Sequence, residues 1–306
     1  MTRILTRDDV AAVLSLDDCI AAVEDAFRAY GEGRTTPPQS LGVHAEHGTF
    51  HIKAALADVF AAKLNANFPD NRRRHGLPTI QGVIVVVDPG NGTLLGILDS
   101  ALITTLRTAA ATAVAAKYLA RADARTVTVI GCGVQGQAQL EALKRVRPIE
   151  RVFAFDADPA ATLPGAERDL PLDDAVAQSD VVLTCTTSRA PILDERHLHP
   201  GLFIAGIGAD NPEKHELSPT LLKRSLVVPD ITEQARKMGD LHHAPDVDVH
   251  GELADVLCGR VRARQTEEEI FVFDSTGTAL QDVAAAAVAL RRATERGIGA
   301  EINLAP

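Results

Sequence analysis

The chain has no long hydrophobic run, no surplus of positive charge and no closely spaced cysteine pair, and each lack removes a class of protein. No apolar stretch is long enough to cross a bilayer, and the N-terminus MTRILTRDDV has no apolar signal-peptide core. The formal charge is −10 over 306 residues, which disfavours a nucleic-acid backbone as partner. The basic cluster Arg72-Arg73-Arg74 reads as a solvated loop or a local anion contact. Cys19, Cys132, Cys185 and Cys258 stand at spacings that fit neither zinc ligation nor a redox pair. No metal is expected, and the cysteines read as small hydrophobes in a reducing compartment. The expectation is a soluble, cytoplasmic protein with no membrane or nucleic-acid partner. An acidic total still permits an anionic substrate, because a site can concentrate a few cations.

At this length, with 46% hydrophobic residues, the chain can form two domains. Ile20, Val23, Phe27 and Tyr30 mark one face of a helix between Ser15 and Gly33. Between Pro37 and Gly96 the runs GTFHIKAAL, AAKLNANF and QGVIVVVDPGNGTLLGIL read as strands, with PGNG as a hairpin turn. DSALITTLRTAAATAVAAKYLA reads as an alanine-rich helix long enough to link two domains. From Thr126, apolar strands (TVTVIG, RVFAFD, DVVLTC, LFIAGIG, SLVVPD, IFVFDS) alternate with helical segments. That texture predicts a parallel sheet covered on both faces. A last helix is predicted over about Leu280 to Arg296.

The stretch VTVIGCGVQGQAQLEALKRV carries the chemistry. Its glycines follow a β-branched run and open an amphipathic helix. Gly131 would permit the tight turn, Gly133 the approach of a pyrophosphate and Gly136 close helix–strand packing. The phosphates would lie over unpaired N–H groups at the helix start. The next strand ends in Asp156, which suits ribose hydroxyls and repels a 2′-phosphate, so NAD is expected over NADP.

Three further stretches hold polar groups that simple packing explains poorly. Arg107 interrupts the small, apolar TTLRTAAATA, Lys63 lies within a strand-like run, and Asp210 and Lys214 follow a buried strand's carboxyl end. Each has a plain alternative: a snorkelling arginine, an exposed lysine, a turn aspartate.

Taken together, these stretches resemble the ornithine cyclodeaminase/mu-crystallin family. LRTAAATAVAAKYL, VIGCGVQGQAQLEAL, FDADPAAT, GIGADNPEKHEL and FDSTGTALQDVAAA carry the resemblance, which runs in order from about Ala62 to the C-terminal helix. It implies an α/β protein with an α+β substrate-binding and dimerisation domain over 1–118, rejoined by the last helix at about 280–306. A doubly wound, Rossmann-type NAD-binding domain over 119–279 and a homodimer are also implied. By the same resemblance Lys63 and Arg107 contact the substrate carboxylate, Lys63 acting with the catalytic group and Arg107 lying also near the cofactor. Asp210 becomes the acid/base residue at the reacting nitrogen. Thr79, Val134, Gln135, Asp156, Thr186, Ile204, Ala205, Gly206, Ile207, Lys214 and Ser275 line the NAD site, and Thr276 lies close to the substrate.

Two positions depart from the family pattern. Gln39 stands where members usually carry an arginine, so the carboxylate loses a charged fork or borrows another cation such as Arg34 or Lys53. His51 falls where ornithine-cyclising members carry a glutamate. The first reading is therefore an NAD-dependent oxidoreductase acting at the α-carbon of a small or cyclic L-amino acid or imino acid. An ornithine cyclodeaminase that forms proline and ammonia is the alternative. A dinucleotide- or ligand-binding protein without turnover is the third.

Overall fold

The computed structural model describes residues 1–304, and the chain divides into two units. In chain order the elements begin with β1 (Thr2–Leu5), α1 (Arg7–Val13), α2 (Leu16–Gly31), β2 (Gln39–Ala45), β3 (Gly48–Leu56) and β4 (Phe60–Asn67). Next come α3 (Asn71–His75), β5 (Ile80–Val87), β6 (Leu94–Asp99) and the long α4 (Ser100–Leu119). There follow β7 (Thr126–Ile130), α5 (Val134–Val146), β8 (Arg151–Phe155), α6 (Leu172–Ala177), β9 (Val181–Thr184) and β10 (Arg189–Leu193). Then come β11 (Phe203–Gly206), β12 (His215–Leu217), α7 (Pro219–Lys223), β13 (Leu226–Pro229), α8 (Thr232–Met238) and α9 (Leu253–Leu257). The chain ends with β14 (Phe271–Asp274), α10 (Ala279–Arg296) and β15 (Ala300–Ile302).

The first unit joins Met1–Arg107 to the C-terminal segment from Thr278. Its sheet runs β15-β1-β6-β5-β4-β3-β2, antiparallel except where β1 meets β6. Capping boxes at Thr6 and Ser15 start α1 and α2, and Thr278 caps α10. Side chains alternate across a strand, so register assigns them to faces. Ala55, Ala61, Lys63, Ile84 and Leu98 share the buried face, over which α10 packs. Leu41, Phe50, Leu64 and Val83 lie on the other face and are 37–58% exposed.

The second unit, Thr108–Gly277, is built on a wholly parallel sheet in the order β13-β14-β11-β9-β7-β8. Its strands are nearly continuous apolar runs: Val181–Leu183, Phe203–Ala205 and Phe271–Phe273 are fully buried. This is the doubly wound α/β architecture. The chain adds β8 on one side of β7 and β9 on the other, so the winding reverses at β7. A small parallel pair, β10 with β12, was not apparent from sequence. Its strands, RAPIL and HEL, are short, with no alternation to mark them.

The division between units falls inside α4, at 107/108 and not near 118, because the two ends of that helix have different partners. Ser100 bonds Asn65 and Arg107 bonds Asp282 in the first unit. In the second, Arg147 Nη2 donates to the carbonyls of Ala116, Lys117 and Ala120 at 2.6–3.0 Å, and Arg264 Nε donates to Leu119 O at 2.7 Å. Two arginines thus satisfy the carbonyls left open at the helix end. Arg147→Met should lower the unfolding free energy by about 1.5–3 kcal/mol, the range for hydrogen bonds to a charged group. Denaturant unfolding checks this, and an unchanged midpoint would remove the capping role.

Candidate functional site

The residues singled out from sequence fall into one cluster in each unit. In the first, Lys63 on β4 and Arg107 on α4 converge on a residue that sequence reasoning did not single out, Asp282 in the first turn of α10. Lys63 Nζ donates to Asp282 Oδ1 at 2.8 Å and lies 2.7 Å from Oδ2. Arg107 Nε donates to the same Oδ1 at 2.8 Å, and its Nη1 donates to Gln281 Oε1 at 2.6 Å. All three charged side chains are at least 95% buried. Lys53 stands directly across from Lys63 in the β3–β4 register, and its charge acts on both Lys63 and Asp282. One carboxylate therefore faces three cations. Burial, and then the neighbouring Arg107, bring Lys63 down to about 7 despite its ion pair. Burial would raise Asp282, but Arg107 and Lys63 hold it below the usual carboxylate range.

His51 lies across from Asn65 on the same face as Lys53 and Lys63. Gln39 pairs with Ala54 and so stands on the opposite face, where its amide donates to Pro37 O at 3.3 Å. Arg34 is taken by Glu32 on the surface. Thr79 is exposed just before β5, with its carbonyl accepting from Phe68 N.

In the second unit the glycine turn follows β7, at the point where the winding reverses. Gly131 has φ +98°, which a side chain would strain, and a Cβ on Gly136 would run into the Gly131 carbonyl. At Gly133 no protein atom lies within 4 Å of where a Cβ would sit. Gly133 caps α5 without a side chain, leaving the first-turn N–H groups of Val134, Gln135 and Gly136 available to an anion. Asp156 accepts from Cys132 N at 2.7 Å and Asp158 N at 2.9 Å, which ties the turn to the end of β8. Open space over Gly133, uncapped amides and an acidic strand end fit a dinucleotide. The Ser275 hydroxyl is buried at the end of β14 with no partner among the described residues.

Other members of the predicted set have their side chains engaged. Ile204 belongs to the hydrophobic core, and Ala205 and Gly206 are buried with it, while Ile207 follows at the strand's carboxyl end. Thr276 donates through N and Oγ1 to Asp230 and accepts from Gln234. Asp210 is half exposed and accepts from Lys214 Nζ at 2.6 Å. Thr186 donates through N and Oγ1 to Glu216, at 2.6 and 2.7 Å.

Glu216, Asp230, Asp240 and Asp274, also missed from sequence, are fully buried at the carboxyl ends of these strands. Asp274 accepts from the amides of Asp240 and Leu241, and Asp240 Oδ1 accepts from those of Glu216 and Leu217. Burial, together with neighbouring carboxylates, raises Asp274 to about 7 and Asp240 well above the ordinary range. Among the described residues no set of three or more His, Cys, Asp or Glu side chains is placed to hold a metal, and no helix is long and apolar enough to cross a membrane.

The lowered Lys63 has a definite pH consequence. Its folded value, about 7, lies below the ordinary 10.5, so the unfolded chain binds more protons between them. Stability from this group is complete above 10.5 and is lost as pH falls toward 7. Unfolding free energies of wild type and Lys63→Met should therefore diverge in favour of wild type as pH rises through that window. A constant difference would show that Lys63 keeps an ordinary lysine's titration.

Comparison with known proteins identifies the family. A profile of the ornithine cyclodeaminase/mu-crystallin family matches residues 1–297. An alanine dehydrogenase of Archaeoglobus fulgidus is 35% identical over 316 residues, covering 99% of this chain and 98% of its own. Among solved structures, an archaeal alanine dehydrogenase dimer with bound NAD superposes with a TM-score of 0.95 at 35% identity, over 99% of both chains. The Δ1-pyrroline-2-carboxylate reductase of Thermococcus litoralis, in complex with NADH and L-proline, gives 0.93 at 28% identity, over 98% of this chain and all of its own. The chain belongs to the ornithine cyclodeaminase/mu-crystallin family.

Proposed function

We propose that the protein is an NAD-dependent oxidoreductase acting at the α-carbon of a small or cyclic L-amino acid, or of the corresponding imino acid. The observation that carries the reading is the convergence of Lys63, Arg107 and Lys53 around Asp282 in one cluster of the first unit. Side chains of this kind suit an anionic ligand, and an amino-acid carboxylate is one. Lys53 takes the place of the arginine expected at Gln39. It shares a face and register with Lys63, whereas Arg34 is committed to Glu32.

The turn at Gly131, Gly133 and Gly136 holds the pyrophosphate, and Asp156 the adenosine ribose. The dinucleotide, when bound, gives or takes the hydride. Asp210 moves the proton at the reacting nitrogen, and Lys214 orients its carboxylate. Lys63, Arg107 and Lys53 fix the substrate carboxylate, a positioning effect that holds the α-carbon in one place. His51 and Asn65, beside these lysines, carry no negative charge to receive a distal ammonium. The apolar outer face with Leu41, Phe50, Leu64 and Val83 supports a homodimer, the state named for the archaeal alanine dehydrogenase.

Cofactor choice is tested by nicotinamide fluorescence. Each hydrogen bond from ribose to the Asp156 carboxylate contributes about 1.5–3 kcal/mol before desolvation. NADH should bind well and NADPH poorly, and equal affinities would remove Asp156 from the ribose site. Turnover is tested with Asp210→Asn, which should lose about 10²–10⁴-fold in rate while keeping NADH affinity and stability. In the same assays kcat/KM for pyrroline-2-carboxylate, or for pyruvate with ammonia, should exceed that for ornithine. Efficient proline release from ornithine with catalytic NAD⁺ would replace this reading with the lyase.

A further inference from the structure

The segment leaving β11 at Gly208 carries Asp210 and Lys214 and ends at Glu216 in β12. Glu216 Oε2 accepts from Gly208 N at 2.7 Å, so a single side chain joins the two ends of that loop. The same oxygen accepts from Thr184 Oγ1 at 2.7 Å, while Oε1 takes both donors of Thr186 on the neighbouring strand's exit. Four donors thus converge on one fully buried carboxylate. The Glu216 carboxyl packs so closely on Gly208 that a Cβ there would lie 2.6 Å from its carbon. Gly208 O in turn accepts from Asp210 N at 3.0 Å. The Glu216 main chain is itself fixed, its N donating to Asp240 Oδ1 at 2.8 Å. The facing titratable groups are Asp240, Asp274 and Cys185 beside Glu216, and His215 stacks on His243 at 4.1 Å. His243 also meets the Lys214 carbonyl, and Arg189 pairs with Glu213.

We propose that Glu216 is the positioning residue of the acid/base carboxylate: it clasps the loop Gly208–Glu216 shut, ties it to Thr186, and so sets where Asp210 stands. This rests on the reading of Asp210 given above. A core-filling role would need only the volume of the side chain, but this geometry uses its full acceptor capacity. Glutamine has that volume but one acceptor oxygen, so its NH₂ must face either the Thr186 donors or those of Gly208 and Thr184.

The test compares Glu216→Gln with wild type by hydrogen exchange and by kcat, KM and NADH affinity. Amides at Thr186 and across 208–216 should exchange about tenfold faster or more, with β7 and β11 still protected. The rate should fall about 10²-fold, as for a displaced catalytic group. The loss should fall on kcat, with KM and NADH affinity near the wild-type values. A mere loss of folded protein would lower NADH-binding sites and rate in the same proportion. Unchanged exchange across the loop overturns the clasp. Faster exchange with wild-type kcat per NADH-binding site overturns the positioning role. If Asp210→Asn itself retains the wild-type rate, the acid/base reading has failed, and the exchange data still decide the clasp. Should Glu216→Gln not fold, Thr184→Val deletes one donor of the four and is expected to change exchange and kcat in the same directions by less.

Discussion

The Asp282 carboxylate sits almost out of reach of water with Lys63 and Arg107 against it, and the first unit is arranged so that these charges stay paired. They come from β4, α4 and α10, elements far apart in sequence, and burying any one charge alone costs several kcal/mol. The sheet and both helices are therefore locked in mutual position by a cost that grows as soon as one of them shifts. Apolar side chains of the same volume would give a core at least as stable. What they would not give is a set of desolvated, oriented cations, which the proposed substrate-carboxylate site uses.

The second unit meets the reverse problem. At the carboxyl ends of parallel strands the loops leave backbone N–H groups without a ladder partner, and here buried carboxylates take them up. Asp230 accepts from Thr276 and Gly277, Asp274 from Asp240 and Leu241, Asp240 from Glu216 and Leu217, and Glu216 from Thr186 and Gly208. No cation pairs with Glu216, Asp240 or Asp274 among the described residues; donated hydrogen bonds offset the burial of Glu216, while burial beside other carboxylates raises Asp240 and Asp274. Loops that would ordinarily be the mobile part of such a fold are pinned from below by acids.

The parallel sheet, the glycine turn and the acidic strand end were legible because each rests on local pattern: β-branched runs, glycine spacing, an aspartate at a fixed distance. Lys63 and Arg107 were legible as polar exceptions in apolar surroundings. Asp282 was not, although an aspartate in TALQDVAAA is just as exceptional, because one acid in a helix's first turn already has a sufficient local reason. The buried acids of the second unit hid for a similar cause: Asp230 and Asp274 stand at or next to the ends of the runs SLVVPD and IFVFDS, which read simply as strands. Their partners are backbone amides, which leave no trace in sequence, and the short, polar β12 that carries Glu216 has no periodicity to reveal it.

The departure at Gln39 shows what register adds to a sequence comparison. Strand side chains alternate with a period of two, so Gln39 and Lys53, though on adjacent strands, stand on opposite faces. Lys53 joins Lys63 and Arg107 from a different direction than a side chain at position 39 would. The exchange also alters the kind of contact, since arginine presents a planar fork and lysine a point charge on a flexible stem. Under the proposed reading, a substrate carboxylate held by two lysines and one arginine would be located by where β3, β4 and α4 place their charges, less by the geometry of any single pair. Its orientation then depends on the rigidity of that frame, which returns the burden to Asp282, the carboxylate that holds Lys63 and Arg107 in register.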